Sequence, residues 1–126
     1  MIAKRVLSVG QCFADHSNLS ATLQRAFDAE VVGAASASEA LAKLRSEPFA
    51  LVLVNRIFDA DGASGIELIR ALKGDTALSP MPVMLVSNYD DAQEEATTAG
   101  AMPGFGKATL GQAAMLARLA PYLKTE

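Results

Sequence analysis

The sequence predicts a doubly wound α/β domain in which five parallel strands form one sheet with helices on both faces. Three observations carry this expectation. Short apolar runs alternate five times with helical patterns along the chain. The strongest run, Ala50-Leu51-Val52-Leu53-Val54, is apolar at every position, as in a central parallel strand covered on both faces. Each intervening stretch is long enough for a right-handed crossover. With 126 residues, the chain is expected to form a single domain over 1–126.

The elements follow in order. Val6-Leu7-Ser8-Val9, ended by Gly10, reads as the first strand. A helix is expected to open at Ser17-Asn18-Leu19-Ser20, with Leu19, Leu23, Ala26 and Phe27 on its apolar face. Val31 to Ala34 reads as the second strand. Ser38 with Glu39 starts a helix through Ala40, Leu41 and Leu44, stopped by Pro48. After the central strand come Asn55 and a polar loop, Asp59-Ala60-Asp61-Gly62-Ala63. Ser64 and Glu67 then form a capping box for a helix carrying Ile66, Leu68, Ile69 and Leu72. Met81 to Val86 reads as the fourth strand, with Pro82 at its start, where a missing N–H is tolerated. Asp90 and Asp91 favour a helix start, and Gly100 ends that helix. Ala101 to Phe105 is a weak fifth strand. Thr109 to Leu123 is the last helix, with Leu110, Ala114, Leu116 and Leu119 expected on its buried side. The strand order is expected to be flavodoxin-like, a three-layer (βα)5 sandwich. Sites in such sheets lie at the carboxyl ends of the strands, which directs attention to Gly10, Gln11, Cys12, Asn55, Ser87 and Lys107.

Composition removes several function classes. The net charge is −3 and no basic block is present, so nucleic-acid binding is not expected. No apolar stretch reaches about 20 residues, and the N-terminal residues lack a signal-peptide pattern. These features point to a cytoplasmic protein without membrane contact. Cys12 is the single cysteine and is read as a half-buried packing residue. His16 is the single histidine; without Cys or His partners it is not a metal site and is placed just before the first helix. Tyr89 and Tyr122 are expected at the surface or the site rim. Gly104-Phe105-Gly106 does not have the spacing of a phosphate loop.

At its strand ends the chain resembles the receiver domains of two-component response regulators. The resemblance runs from Lys4 to about Leu123. It is carried by Val6-Leu7-Ser8-Val9 and its loop, Ala50 to Val54 followed by Asn55, Gly65-Ile66-Glu67-Leu68-Ile69, Pro82-Val83-Met84-Leu85-Val86-Ser87, Ala99-Gly100-Ala101 and Lys107. In that family two acids after the first strand and an Asp after the third hold Mg²⁺, and the third accepts a phosphoryl group. A hydroxyl after the fourth strand and a Lys after the fifth contact the phosphoryl oxygens. The resemblance implies that Ser87 and Lys107 are the retained switch residues. It places Gly10 and Gln11 at the acid-pair positions and Asn55 at the phosphoacceptor position, so the chain reads as a degenerate pseudo-receiver. Ala108 stands where the family usually has Pro, and Gly104 lies near its aromatic switch position.

The chemistry can be argued from the residues. Phosphoryl transfer to a side chain needs an anionic oxygen nucleophile and a divalent cation. An Asn amide offers a neutral oxygen and cannot form a stable acyl phosphate. Mg²⁺ takes carboxylate oxygens, whereas Gly10 has no side chain and Gln11 a neutral one. No cofactor is therefore expected, with Mg²⁺ binding lost or weak, and the protein is not expected to be an enzyme. Lys107 is expected to hydrogen-bond the Asn55 amide oxygen and backbone carbonyls. The loop after Asn55 is longer than usual for the family; Asp59 or Asp61 folding toward Lys107 is one alternative, against a solvated turn at Asp61-Gly62.

The expected function is a phosphorylation-independent interaction module in bacterial two-component-type signalling. Its partner would be a histidine kinase, another regulator or a second copy. The face implied by the resemblance is the fourth helix, fifth strand and fifth helix, including Asp91, Glu94, Glu95, Thr98, Met102, Pro103 and Ala113. Two alternatives stand beside it: an anion or nucleotide sensor built on Lys107, Ser87, Asn55 and Gln11, and residual aspartyl phosphorylation through Asp59 or Asp61.

Overall fold

A computed structural model describes residues 4–124. Five strands alternate with five helices: β1 (Arg5–Val9), α1 (Phe13–Phe27), β2 (Glu30–Ala34), α2 (Ala37–Ser46), β3 (Leu51–Asn55), α3 (Gly65–Gly74), β4 (Val83–Val86), α4 (Asp90–Thr98), β5 (Met102–Phe105) and α5 (Ala113–Leu123). The strands form one sheet in the order β2-β1-β3-β4-β5, and every pairing is parallel. This is the flavodoxin-like α/β architecture that the alternation of runs predicts.

Side chains alternate across a strand, and the core divides accordingly. Leu7, Val9, Val52, Val54, Val83 and Leu85 pack against Ala40 and Leu44 of α2, Ile66, Leu68, Ile69 and Leu72 of α3, and Ala92 and Ala96 of α4. On the other face Val6, Leu51, Leu53, Met84, Val86 and Phe105 pack against Leu19 and Leu23 of α1 and Met115, Leu119 and Leu123 of α5. Every residue of β3 but Asn55 is buried, which explains its unbroken apolar run.

Several helix starts differ from the sequence expectation. α1 begins a turn earlier, at Phe13, because the Cys12 thiol caps it by accepting from the Asp15 N–H at 3.5 Å. His16 therefore lies inside the helix, with its ring against Gly33 of β2. Ala26 is exposed, leaving Leu19 and Leu23 as the buried face. α2 is capped by Ser36 rather than Ser38: the Ser36 hydroxyl accepts from the Glu39 N–H, and Glu39 in turn accepts from the Ala35 N–H. Ser64 does cap α3 through the Glu67 N–H at 3.3 Å, while the Glu67 carboxylate pairs forward with Arg70 instead of closing the box. β4 starts at Val83, with Pro82 just before it accepting from the Val52 N–H. α5 starts at Ala113, after a 3₁₀ turn over Lys107–Thr109 and Gly111 at φ +83°. In α5 Ala114 is exposed and Leu116 only partly buried; Met115, Leu119 and Leu123 are the buried residues.

β5 is the irregular edge. Met84 pairs with Met102 and Val86 with Phe105, so one extra residue bulges between them. Pro103 lies in this stretch and is exposed.

Candidate functional site

The carboxyl ends of β1 and β3 meet at Gly10 and Asn55. The Asn55 amide Nδ2 donates to the Gly10 carbonyl at 3.0 Å and to the Ile57 carbonyl at 2.8 Å, and its Oδ1 accepts from the Arg56 N–H at 3.1 Å. The amide is thus committed on both sides to backbone. Gly10 sits at φ +77°, and a β-carbon added there would lie 2.2 Å from Cδ1 of Phe58. The Phe58 ring, 1% exposed, occupies the space into which a side chain at residue 10 would project. The loop that delivers it closes on itself. Phe58 N–H donates to Ala63 O, Gly62 N–H to Phe58 O, Gly65 N–H to Arg56 O, and Ile57 bridges Ser64. Asp59 N–H donates to Gly10 O at 3.0 Å, stapling the loop to β1.

This loop carries Asp59 and Asp61 outward. Both are exposed, and Asp61 Oδ1 accepts from the Ala63 N–H at 3.0 Å in a local turn. Neither lines a cavity around Lys107. Among the described residues no group of three His, Cys, Asp or Glu side chains is placed to hold a metal. An aromatic ring beside Gly10 and an amide that points its N–H groups inward do not fit the oxygen-donor set that Mg²⁺ takes.

Lys107, directly after β5, does not bond Asn55. Its ammonium pairs with Asp15 Oδ2 at 2.6 Å, a carboxylate that α1 presents because the helix begins early. The hydrogen bond from Lys107 holds the Asp15 carboxyl below the usual carboxylate range, with the Cys12 thiol assisting and partial burial opposing. Gln11 also departs from expectation. Its amide faces a separate 70 Å³ cavity with Asp15, Asn18, Leu19 and Lys107, where neither polar atom has a protein partner.

Ser87 ends β4, is 9% exposed, and accepts at Oγ from the Tyr89 N–H at 3.2 Å. It lines a 330 Å³ cleft with Asn55, Arg56, Ile57, Val86, Asn88, Tyr89 and Lys107. The Arg56 guanidinium lies 5.0 Å from the Tyr89 ring centroid.

Next to this cleft the α4-β5-α5 face is pinned by Gln93. Its Nε2 lies 2.9 Å from Leu85 O, 3.1 Å from Ser87 O and 3.3 Å from Phe105 O, and its Oε1 accepts from the Gly104 N–H at 3.2 Å. The amide fills the bulge between β4 and β5. Gly104 permits the approach, since a β-carbon there would lie 2.1 Å from Leu85 O and 2.9 Å from Gln93 Oε1. Arg118 of α5 donates to Gly104 O. Asp91, Glu94, Glu95, Thr98, Met102, Pro103 and Ala113 are all exposed; Glu94 and Pro103 line a 570 Å³ groove between α4, β5 and α5, whereas Asp91 and Glu95 line the groove on the α3 side of α4, where Glu95 pairs with Arg70.

Solved structures with the same fold decide its class. The chain matches a candidate response regulator from Chloroflexus aurantiacus at TM-score 0.85 and 20% identity, covering 96% of this chain and 98% of that one. It matches the chemotaxis response regulator CheY4 of Vibrio cholerae at TM-score 0.69 and 22% identity, covering 95% of each. The fold is that of response-regulator receiver domains. The signal receiver domain of a DNA-binding response regulator from Colwellia psychrerythraea superposes likewise, at TM-score 0.78 and 19% identity over 94% of this chain and 96% of its own. No family model and no curated protein matches the sequence.

In this receiver fold four side chains matter that sequence reasoning did not single out: Phe58, Asp15, Arg56 and Gln93. Phe58 is the lone aromatic in the loop after Asn55, a signal that was available. Asp15 and Lys107 are 92 positions apart, and only the fold brings them together.

Proposed function

We propose that this chain is a phosphorylation-independent receiver-type module of two-component signalling that works through protein contacts on its α4-β5-α5 face. The observation that carries this reading is the Phe58 ring in the space a side chain at residue 10 would need, together with the Asn55 amide tied to the Gly10 and Ile57 carbonyls. Gly10 and Asn55 are closed off by packing and backbone bonds and Gln11 carries only a neutral amide, so none of the three offers an anionic oxygen to attack phosphorus. The Gln93 clamp favours a face held in one arrangement, as an unswitched docking surface requires. The acids that line its groove, Asp90 and Glu94, favour a partner surface of positive charge.

The test is exposure of the protein to Mg²⁺ and a small-molecule phosphodonor, read by intact mass. An unchanged mass is expected; a gain of one phosphate overturns the reading. Partner capture should then fail for an Asp90→Lys/Glu94→Lys variant and survive in the wild type without any phosphodonor.

A further inference from the structure

The two edges of the sheet are β2 and β5, and β2 is the unguarded one. Natural edge strands are commonly shielded from pairing by Pro, by Lys or by a bulge. β2, Glu30-Val31-Val32-Gly33-Ala34, has none of these, and its register with β1 is regular along its whole length. Main-chain groups of successive strand residues point alternately to the two sides. Glu30 N–H donates to Lys4 O, and Ala34 O accepts from Gly10 N–H, both at 2.8 Å. Glu30, Val32 and Ala34 therefore turn their main-chain groups inward to β1, and Val31 and Gly33 turn theirs out to the edge. The outward row of donors stops there: the Ala29 N–H goes to Leu23 O and the Ala35 N–H to the Glu39 carboxylate.

This pattern is complementary to itself. Two copies of β2 set antiparallel about a two-fold axis through Val32 bring Val31 of each opposite Gly33 of the other, as a hydrogen-bonded pair. The outward groups of Val31 and Gly33 in both copies are then matched. An axis through Val31 or Gly33 would instead set an outward residue against Ala29 or Ala35, whose N–H groups are already engaged. Charge agrees with the same register. Glu30 is the one charged residue of β2; it falls opposite Ala34, and Arg5 holds its carboxylate at 2.9 Å. The flanks agree as well. Val31 and Phe27 on one face of the sheet, and Val32, Ala37 and Leu41 on the other, are apolar and only partly buried. A second copy sets the same apolar strips alongside them.

We propose that this chain forms a two-fold dimer by antiparallel pairing of β2 with β2 of a second copy, centred on Val32, which joins the two sheets into one. β2 and β5 are opposite edges, so the dimer leaves both α4-β5-α5 faces free at its far ends. A partner with two docking sites is then held at two points, which raises its apparent affinity. The pairing does not depend on the interaction-module reading, since it uses the other edge of the sheet.

The experiment is sedimentation and amide-exchange NMR of the full chain between about 0.05 and about 1 mM. The mass should rise from monomer toward dimer, and exchange of the Val31 and Gly33 amides should slow severalfold over the same range. Val32→Lys sets like charges opposite one another at the axis, where the paired residues stand closest, and should leave the protein monomeric. Val32→Glu should do the same. An equimolar mixture of the two variants should recover the dimer, which requires both to be folded. A monomer at about 1 mM, a dimer in which Val31 and Gly33 exchange is independent of concentration, or a dimer that survives both substitutions overturns the proposal. So does a mixture that stays monomeric while each variant gives a folded spectrum.

Discussion

The two halves of the sheet's carboxyl edge have gone different ways. At β1 and β3, Gly10, Asn55 and Phe58 form a dry junction of ring packing and backbone hydrogen bonds. At β4 and β5, Ser87, Arg56 and Lys107 line an open polar cleft. The first half resembles core and the second resembles a binding site. The difference teaches that one loop can close part of a sheet edge and leave the rest open: the loop after β3 seats an aromatic ring against Gly10, while the donors beside Ser87 stay accessible.

The contrast can be broken most forcefully at Phe58. Phe58→Ala should cost about 3–5 kcal/mol in denaturant unfolding, and a double-mutant cycle should show that Gly10→Ala is less costly in that background than alone. A residual penalty is expected even then, because φ +77° strains any L side chain by about 1–2 kcal/mol. Asn55→Asp comes next. It replaces a donor that serves two carbonyls with an acceptor facing them, so a loss of about 2 kcal/mol is expected, with no Mg²⁺-dependent gain in stability on adding the ion. On the open side, Gln93→Ala should cost about 1–2 kcal/mol and raise amide exchange at Gly104 and Phe105 before that of β1.

The smallest effect is electrostatic. The Asp15 carboxyl is lowered in the folded protein, so its contribution is fully present above the unfolded value of about 3.9 and is lost as pH falls through the folded value. Both partners are roughly a third exposed, so the contribution stays under about 1 kcal/mol. Asp15→Asn should lower stability near neutrality by less than about 1 kcal/mol and flatten the profile below pH ~4, where the two proteins converge.

The fold was readable because β4 and all of β3 before Asn55 are apolar and the helices carry their apolar residues three and four apart. Helix starts were less readable. A cysteine is a weak cap, so α1 gave no signal at Cys12, and two serines competed for the start of α2. That Gly10 and Asn55 offer no carboxylate could be read from residue types alone. Their surroundings could not, since the seating of Phe58 and the Asp15–Lys107 pair depend on loop closure and on contacts between distant segments.

The proline in β5 bears on how copies of this protein can meet. A sheet grows by lending unpaired N–H groups to an incoming strand. Pro103 has none to lend, and the bulge beside it disturbs the ladder further. Strand addition is blocked on this flank, so any assembly there must be made side chain to side chain through the flanking helices, where single substitutions can tune it.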